Sequence, residues 1–235
     1  MKPSDDHRAS LERFVRMGLG GNPFRVVPPG EVASLYEPLA PSRGPRADGI
    51  AASSARFVQI IGAEGRGKST LLSAIQPLLE EQGLTCERRF LPPDHDGRFD
   101  APRDAAAVLL IDEAQRLRRK SRLAARSWLE VGDRRLIVTT HEDLHRTFGD
   151  ESETVELPDA DAEIVDRVFR RRIVTSGGDA DLIRLTPGAA RWLAQASGGS
   201  LRWVERFCYE LFQHIEASPR ILIDERSLRR AQRHV

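Results

Sequence analysis

The sequence predicts an α/β protein with a mostly parallel sheet flanked by helices, followed by a small all-helical domain. Between residues 56 and 158, short apolar runs rich in β-branched residues alternate with amphipathic stretches, as in parallel sheets with helical crossovers. After Pro158 the apolar residues recur only at helical spacing. At 235 residues and 40% hydrophobic content, the chain can form one substantial α/β domain with a small satellite.

These patterns divide the chain into three regions. Residues 1–50 are rich in proline and glycine and form an N-terminal arm that starts with a short helix at Leu11–Met17. Residues 51–158 form the α/β core, and residues 159–235 form the helical domain. The segment Ser42–Ser54 has small residues and little periodicity, which predicts a loop.

Strands and helices alternate in the predicted core. The predicted strands cover residues 56–61, 85–91, 107–111, 135–139 and 154–157. The helices predicted between them cover residues 68–82, 114–130 and 142–148. In the C-terminal region, helices are expected at residues 159–174, from the Thr186-Pro187 start signal onward, at 201–215 and at 224–233.

A glycine-rich segment joins the first strand to the first core helix. It matches G-x-x-x-x-G-K-[ST] without a gap, through Gly62, Ala63, Glu64, Gly65, Arg66, Gly67, Lys68 and Ser69. Such a loop turns several backbone N–H groups toward phosphate oxygens at the positive end of a helix. Lys68 then reaches the β- and γ-phosphates, Ser69 ligates magnesium, and Thr70 lies near the α-phosphate. The segment therefore predicts binding of ATP and Mg²⁺.

The third predicted strand ends in two adjacent carboxylates, Asp112 and Glu113. Parallel strands deliver polar residues to the ligand crevice at their carboxyl ends. Asp112 is expected to hold magnesium through water, and Glu113 to orient and polarise an attacking water. A water-activating carboxylate favours hydrolysis over phosphoryl transfer to a metabolite.

Together these motifs resemble the AAA+ superfamily of P-loop ATPases, over roughly residues 20–233. The segment Leu110–Gln115, Leu-Ile-Asp-Glu-Ala-Gln, is similar to the Walker B segment of ExeA-type secretion ATPases and TniB-type transposition helpers. The pattern departs from the superfamily between strands two and three, where the link is short and contains prolines. This leaves little room for a pore loop and disfavours threading of a polypeptide.

The resemblance implies further site residues. Residues 136–141 resemble the strand that presents the sensor 1 residue, for which we expect Thr140, with Thr139 and His141 as neighbours able to take the role. Residues 197–202 resemble the sensor 2 motif, in which Arg202 points to the γ-phosphate. The alternatives are that the two threonines only finish a strand and that Arg202 is a solvated helix residue.

The resemblance also implies an adenine-side linker and an arginine supplied by a neighbouring subunit. Residues 22–27 look like the linker that lies under adenine, although Asn22-Pro23-Phe24 could equally be an ordinary turn. For the arginine acting in trans, Arg146 is expected by position. Three other arginines are within plausible reach: Arg126, Arg134 and Arg135.

Composition adds few functional arguments. The net charge of +1 gives no support for nucleic-acid binding. No apolar stretch is long enough for a membrane helix, and the N-terminus leads into no secretory signal, so a cytoplasmic location is expected. The widely separated Cys86 and Cys208 are expected to be reduced. His141 and His145 are four apart, but with no further ligand nearby they do not predict a metal site.

We therefore expect an ATP-hydrolysing enzyme that couples nucleotide state to assembly or remodelling of a partner complex, as a homo-oligomer, with a separately encoded protein partner, or both. One alternative is a STAND-type switch with slow turnover, since Leu136–His141 is similar to the Leu-Ile-x-Thr-Thr-Arg segment of that class. Another is a DNA-associated adaptor of the transposition or defence type. Its phosphate contacts would come from a basic stripe that could equally be a solvated helix face: Arg116, Arg118, Arg119, Lys120 and Arg122.

Overall fold

A computed structural model describes residues 5–37, 46–102, 106–149 and 152–233, with the side chains of residues 5–10 and 29 left out. The chain divides into two compact units. The α/β unit comprises residues 38–158, and the helical unit combines residues 1–37 with residues 159–235. The N-terminal arm is thus split, and most of it belongs to the helical unit.

The α/β unit contains a five-stranded sheet in the part of the chain that the structure describes. Its strands are β1 (Phe57–Ile61), β2 (Cys86–Phe90), β3 (Val108–Asp112), β4 (Arg135–Thr140) and β5 (Ser152–Glu156). All neighbours are parallel, in the order β2-β3-β4-β1-β5. Because β4 lies between β1 and β3, the carboxyl ends of these three strands share one edge. The prediction of a parallel sheet flanked by helices is confirmed.

Burial explains the strand sequences. The interior strand β3 is buried along its whole length, so it is a continuous apolar run until Asp112. The outermost strands are more polar, with Cys-Glu-Arg-Arg-Phe in β2 and Ser-Glu-Thr-Val-Glu in β5, because one side of each lacks a neighbouring strand. The polarity of these two strands therefore follows from their place in the sheet.

The helices of this unit are α2 (Ala47–Ala52), α3 (Lys68–Glu81), α4 (Arg119–Leu129) and α5 (His145–Phe148). The helix predicted from residue 114 begins later than expected. A 3₁₀ turn spans Ala114–Arg116, and the backbone is extended at Leu117, a residue buried in the core. The helix α4 begins two residues after the buried Leu117.

The loop predicted at Ser42–Ser54 contains α2, while residues 42–45 lie outside the described residues. The helix buries Ala47, Ile50 and Ala51. Arg135 caps its carboxyl end, because the guanidinium donates to Ile50 O at 3.2 Å and to Ala51 O at 3.1 Å. A distant arginine therefore stabilises a helix too short to be predicted from its own sequence.

The helical unit contains α1 (Asp5–Arg16), a 3₁₀ helix (Pro29–Leu35), α6 (Ala162–Thr175), α7 (Pro187–Ala196), α8 (Leu201–His214) and α9 (Glu225–Ala231). Each of the last four helices begins at a residue whose side chain accepts a hydrogen bond from a backbone N–H of the first turn: Asp161, Thr186, Ser200 and Asp224. The helical character of the C-terminal region is confirmed. It is not all-helical, because β6 (Ile183–Leu185) and β7 (Ile221–Ile223) pair in parallel. Strands of three residues are too short for an alternation of apolar and polar residues to be recognised in the sequence.

The segment predicted as an adenine linker is built into the helical unit. Asn22 donates to Tyr209 O at 2.9 Å and accepts from the backbone N–H of Phe24 at 2.9 Å. The Phe24 ring lies 5.5 Å from Phe169 and 5.6 Å from Phe212. These contacts fix residues 22–24 as a buried turn, while a role beside adenine stays a prediction.

Candidate functional site

The glycine-rich loop connects the end of β1 to the start of α3. Gly65 and Gly67 have φ angles of +77° and +88°, a left-handed conformation that glycine adopts without steric cost. A Cβ atom at Gly62 would lie 3.3 Å from both Cβ and O of Leu157. The turn and the close approach to Leu157 therefore require these glycines. Ala63 and Glu64 are exposed, whereas Arg66 and Thr70 are partly buried.

Lys68 is buried within this loop. Its ammonium group donates to Gly62 O at 2.7 Å and to Ala63 O at 3.0 Å, and it lies 3.3 Å from Nδ1 of His141. The charge is therefore held against the backbone of the loop, within a few ångströms of the end of β4. This position suits a lysine that binds anionic phosphate groups in the loop.

The Asp112 carboxylate is almost fully buried and receives several donors. Ser69 Oγ donates to Oδ1 at 3.1 Å, and Thr139 Oγ1 donates to the same atom at 2.5 Å. The Arg88 guanidinium lies 3.6 Å from Oδ2 and also donates to Ser73 Oγ at 2.6 Å. A buried carboxylate needs such compensation. The Ser69 hydroxyl and the Asp112 carboxylate are hard oxygen ligands, and their convergence fits a magnesium ion.

Glu113 follows with a strained backbone, since its φ of +69° makes it the sole non-glycine residue with a positive φ among the described residues. Its N–H donates to Thr139 Oγ1 at 2.9 Å. Oε2 of its carboxylate accepts from Gln115 Nε2 at 2.8 Å and lies 3.0 Å from Arg116 Nη2. Oε1 lies 3.6 Å from Nε2 of His141. The turn thus directs the carboxylate into a cluster of donors.

The end of β4 carries the residues considered for sensor 1. Thr139 contacts Asp112 and Glu113, and His141 lies beside Lys68 and Glu113. The hydroxyl of Thr140 instead donates to Glu142 O at 2.9 Å and accepts from Glu142 N at 3.0 Å, which closes a local turn. Side chains alternate along a strand, so Thr139 and His141 lie beside the acidic residues, while the sensor 1 role expected of Thr140 stays a prediction.

The four arginines considered for a role in trans differ in exposure. Arg126 donates to Glu130 and to Thr147 O, Arg134 lies over the Trp128 ring at 5.1 Å, and Arg135 caps α2. Arg146 is exposed on α5. Of these four, Arg146 is therefore the side chain most accessible to a neighbouring molecule.

Arg202 belongs to the helical unit. It is exposed in the first turn of α8, and Ser200 Oγ caps this turn by accepting from Trp203 N at 3.4 Å. Its predicted contact with a γ-phosphate stays a prediction.

The basic stripe is shorter than its sequence suggests. Arg116 contacts Glu113, and Arg122 donates to Leu117 O at 2.8 Å and to Gln115 O at 2.6 Å. Arg118, Arg119 and Lys120 are exposed. Three of the five basic side chains therefore form a solvated surface at the start of α4.

Arg88 was not among the predicted site residues. It lies on β2, and its position there pairs with Leu110 of β3, two residues before Asp112. Without the strand order, nothing marks Arg88 among the many arginines of this chain. Gln115 and Arg116 were likewise not recognised as contacts of Glu113.

Neither thiol forms a disulfide within the described residues, because Cys86 and Cys208 are both free. Burial raises the pKa of the Cys86 thiol to about 11, and burial also raises the pKa of Cys208. Among the helices that the structure describes, none is long and apolar enough to cross a membrane. Nor do three or more His, Cys, Asp or Glu side chains gather there into a group that could hold a metal ion.

Comparisons with known proteins agree with this architecture. No protein-family model matches the chain, and no curated protein matches it. Among solved structures, domain III of the Thermotoga maritima replication initiation protein DnaA matches with a TM-score of 0.57 and 16% identity, over 90% of this chain and 94% of that chain. The Thermotoga maritima RuvB Holliday junction branch migration motor matches with a TM-score of 0.52 and 16% identity, over 76% of this chain.

The chain spans about three fifths of the RuvB chain, 61% of its length. At 16% identity these likenesses concern the fold. The parallel five-stranded sheet flanked by helices, the glycine loop and the acidic end of β3 agree with the AAA+ P-loop NTPase fold. The chain therefore has the AAA+ P-loop NTPase fold.

Proposed function

We propose that this chain binds ATP with Mg²⁺, hydrolyses it, and couples its nucleotide state to assembly or remodelling of a partner complex. The observation that supports this most directly is the convergence of Lys68, Ser69, Asp112 and Glu113 at one edge of the sheet. These side chains supply the charge, the hard oxygens and the carboxylate that phosphoanhydride hydrolysis needs.

Each residue has a defined task in this proposal. Lys68 binds the β- and γ-phosphates, and Ser69 with Asp112 holds magnesium, which when bound neutralises charge on the phosphate oxygens. Glu113 orients the attacking water. His141, between Lys68 and Glu113, takes the place first expected for Thr140.

Two arginines complete the proposal. Arg202, exposed at the start of α8, distinguishes ATP from ADP through the γ-phosphate, and Arg146 acts on the nucleotide of a neighbouring subunit. The second role requires a homo-oligomer, with or without a separately encoded protein partner. Because the segment Leu110–Gln115 resembles that of the ExeA and TniB proteins, we place the chain near that branch, acting in the cytoplasm.

A second candidate function is that of a DNA-associated ATPase adaptor. The exposed Arg118, Arg119 and Lys120 favour it, as do the names of the two structural neighbours, a Holliday junction branch migration motor and a replication initiation protein. Fluorescence anisotropy with duplex and single-stranded DNA, over a series of salt concentrations, tests this function. The triple alanine variant of these residues should lose binding.

The P-loop assignment is tested by Lys68→Ala. Removing the ammonium from the loop should weaken MgATP binding by at least about tenfold, since charge-assisted contacts to phosphate contribute roughly 1.5–3 kcal/mol. Isothermal titration calorimetry measures this loss, and the exposed Lys120→Ala is the matched control. Equal affinities for the Lys68 variant and the wild type would refute ATP binding at this loop.

The same titrations test Arg202. Arg202→Ala should weaken ATP binding about tenfold while ADP binding is unchanged, because the contact exists only with the third phosphate. Equal losses for both nucleotides would instead indicate damaged packing of the helical unit.

A further inference from the structure

The last helix of the helical unit, α9, carries exposed arginines along one side. Arg226, Arg229, Arg230 and Arg233 are all exposed. Arg233 follows the last residue of α9, but its N–H still donates to Arg230 O at 3.3 Å, so the turn continues. At 3.6 residues per turn, the four side chains lie within about 100° of the helix circumference. Leu228, on the opposite side, is fully buried. The four arginines therefore form one continuous basic surface, the α9 arginine face.

Contacts at its start and on its inner side hold α9 in place. Asp224 Oδ1 accepts from Ser227 N at 2.8 Å and caps the first turn. Just before this cap, Ile223 O accepts from Thr186 N at 2.9 Å, which joins the end of β7 to the start of α7. The buried Leu228 fixes the inner side of the helix. The arginines are therefore presented by an anchored helix, and their spacing is set by its backbone.

Most of the positive charge on this face is not neutralised by an ion pair. Arg229 lies 2.8 Å from Glu225 one turn earlier. Within the part of the chain that the structure describes, none of the other three arginines forms an ion pair. The net charge of the whole chain is only +1, so positive charge is concentrated locally on α9. A local surplus of this kind attracts anions whatever the net charge of the chain.

The composition of the face indicates which anion it fits. The exposed side chains of α9 and of the turn after it are the four arginines and Gln232. A protein partner needs an aromatic or apolar anchor at the centre of its interface, and a single strand needs aromatic side chains on which bases stack. Guanidinium groups bind phosphate oxygens through two parallel hydrogen bonds. Duplex DNA presents roughly one phosphate charge per 1.7 Å of its axis, which suits arginines repeated along a helix.

We propose that the α9 arginine face binds the phosphate backbone of duplex DNA without sequence preference. This inference rests on the second candidate function, that of a DNA-associated adaptor, and does not depend on ATP hydrolysis. It adds a contact surface in the helical unit to the exposed Arg118, Arg119 and Lys120 of the α/β unit. Contacts to phosphates provide affinity and position, but they do not read the base sequence.

The test is the salt dependence of duplex binding by the full chain, measured without nucleotide by fluorescence anisotropy of a labelled duplex. The logarithm of the association constant falls against the logarithm of the salt concentration with a slope of about −0.9 per phosphate contact. Arg226→Ala/Arg230→Ala should therefore make the slope less steep by about 1.8 and weaken binding about fivefold or more at low salt.

The control variant is Arg16→Ala/Arg171→Ala, which removes two exposed arginines from α1 and α6 of the same unit. It changes the net charge by the same amount, and its affinity should stay within about twofold of the wild type. If both double variants change the slope equally, or if neither does, the proposal is overturned.

A lysine variant separates charge from damage to the fold. Arg226→Lys/Arg230→Lys keeps both charges, so it should keep the slope of the wild type and lose less affinity than the alanine variant. A lysine variant that loses as much slope as the alanine variant would overturn the proposal. Should the alanine variant unfold, as judged by circular dichroism, Arg233→Ala beyond the helix should still reduce the slope by about 0.9. An unchanged slope in Arg233→Ala would then overturn the proposal.

Competition distinguishes duplex DNA from other acidic polymers. Unlabelled duplex should displace the labelled duplex at about threefold or more lower concentration of charge than poly-L-glutamate or single-stranded DNA does, since the face lacks aromatic platforms. Equal displacement by poly-L-glutamate would overturn the proposal in favour of an acidic protein segment. Equal displacement by the single strand would overturn the preference for a duplex.

The failure of this inference differs from failure of the adaptor function. If the wild type binds the duplex and only the triple alanine variant of Arg118, Arg119 and Lys120 loses binding, the adaptor function stands and the α9 arginine face is overturned. If the wild type does not bind the duplex, both fail. The calorimetric ATP titrations decide the ATPase proposal independently in either case.

Discussion

At the scale of single residues, Thr139 joins the two acidic side chains of the site. Its hydroxyl donates to Asp112 Oδ1 at 2.5 Å and accepts from Glu113 N at 2.9 Å. One hydroxyl therefore orients the carboxylate proposed to hold magnesium and supports the strained turn that follows. Thr140, next in the chain and equally buried, has its hydroxyl bonded to Glu142 within a local turn.

This contrast predicts different effects for two matched variants. Thr139→Val keeps shape but removes both contacts, and should weaken Mg²⁺-dependent ATP binding about 10–100-fold, the usual effect of losing a hydrogen bond to a metal ligand. Thr140→Val should have an ATP affinity within about twofold of the wild type, because the Thr140 hydroxyl bonds to Glu142 in a local turn. Calorimetric ATP titrations at several Mg²⁺ concentrations measure both. A larger loss of ATP affinity for Thr140→Val than for Thr139→Val would contradict this prediction.

At the scale of elements, Gln59 connects strand β1 to the start of α5. Its side-chain nitrogen donates to Asp143 Oδ1 at 2.7 Å and to Thr154 Oγ1 at 2.8 Å, while its oxygen accepts from Leu144 N at 2.8 Å. The residue is fully buried. The amide therefore ties β5 and α5 to β1, and α5 carries Arg146.

Gln59→Leu should lower the free energy of unfolding by about 1–3 kcal/mol, because it leaves buried polar groups without partners. Urea denaturation followed by circular dichroism measures this change. Gln76→Leu on α3, whose amide bonds only to Glu80 at the surface, is the control and should cost less than about 0.5 kcal/mol. Equal costs would show that the buried amide has no special role.

The hydrogen bond between Gln59 and Asp143 also makes the free energy of unfolding depend on pH. The hydrogen bond from Gln59 is the largest cause of the lowered pKa of Asp143. A lowered folded-state pKa contributes stability at neutral pH that is lost as pH falls through that pKa. Between neutral pH and about pH 3, the free energy of unfolding of Gln59→Leu should therefore fall less than that of the wild type. This range includes the pH at which an ordinary aspartate titrates.

At the scale of the whole molecule, the proposed chemistry needs more than one subunit. Arg146 is exposed in the α/β unit, and the proposal assigns it to the nucleotide of a neighbour. Hydrolysis would then depend on assembly, since each subunit supplies both a site and an arginine for another. Light scattering without nucleotide, with ADP and with a non-hydrolysable ATP analogue reports whether assembly follows the nucleotide.

Mixing two inactive variants tests the exchange directly. Arg146→Ala alone should hydrolyse ATP at least about tenfold more slowly, because an arginine acting in trans stabilises transition-state charge. Lys68→Ala alone should also be slow at limiting ATP, because it binds MgATP at least about tenfold more weakly. Mixed, they should regain activity, because a Lys68→Ala subunit still offers Arg146 to an intact site. A mixture no faster than its components would rule out action in trans, and Arg126→Ala is the comparison for a neighbouring arginine.

The sequence by itself determined the fold class and predicted the centre of the candidate site. The glycine loop with Lys68 and Ser69 could be identified because its conformation depends on residues adjacent in the chain. Asp112 and Glu113 could be placed because a buried strand must end at a sheet edge. The sequence also predicted the five core strands to within a residue or two, because both burial and alternation are local patterns.

Only the tertiary structure decided which partners these residues have. The strand order brings Arg88 of β2 and Thr139 of β4 to the same Asp112 carboxylate, and the alternation along β4 places both Thr139 and His141 beside Glu113. The polar contacts of Gln59 join residues about ninety positions apart, such as Thr154 at a separation of 95. Such contacts depend on which strands become neighbours, and that choice is made by packing of the whole chain, which no local pattern records.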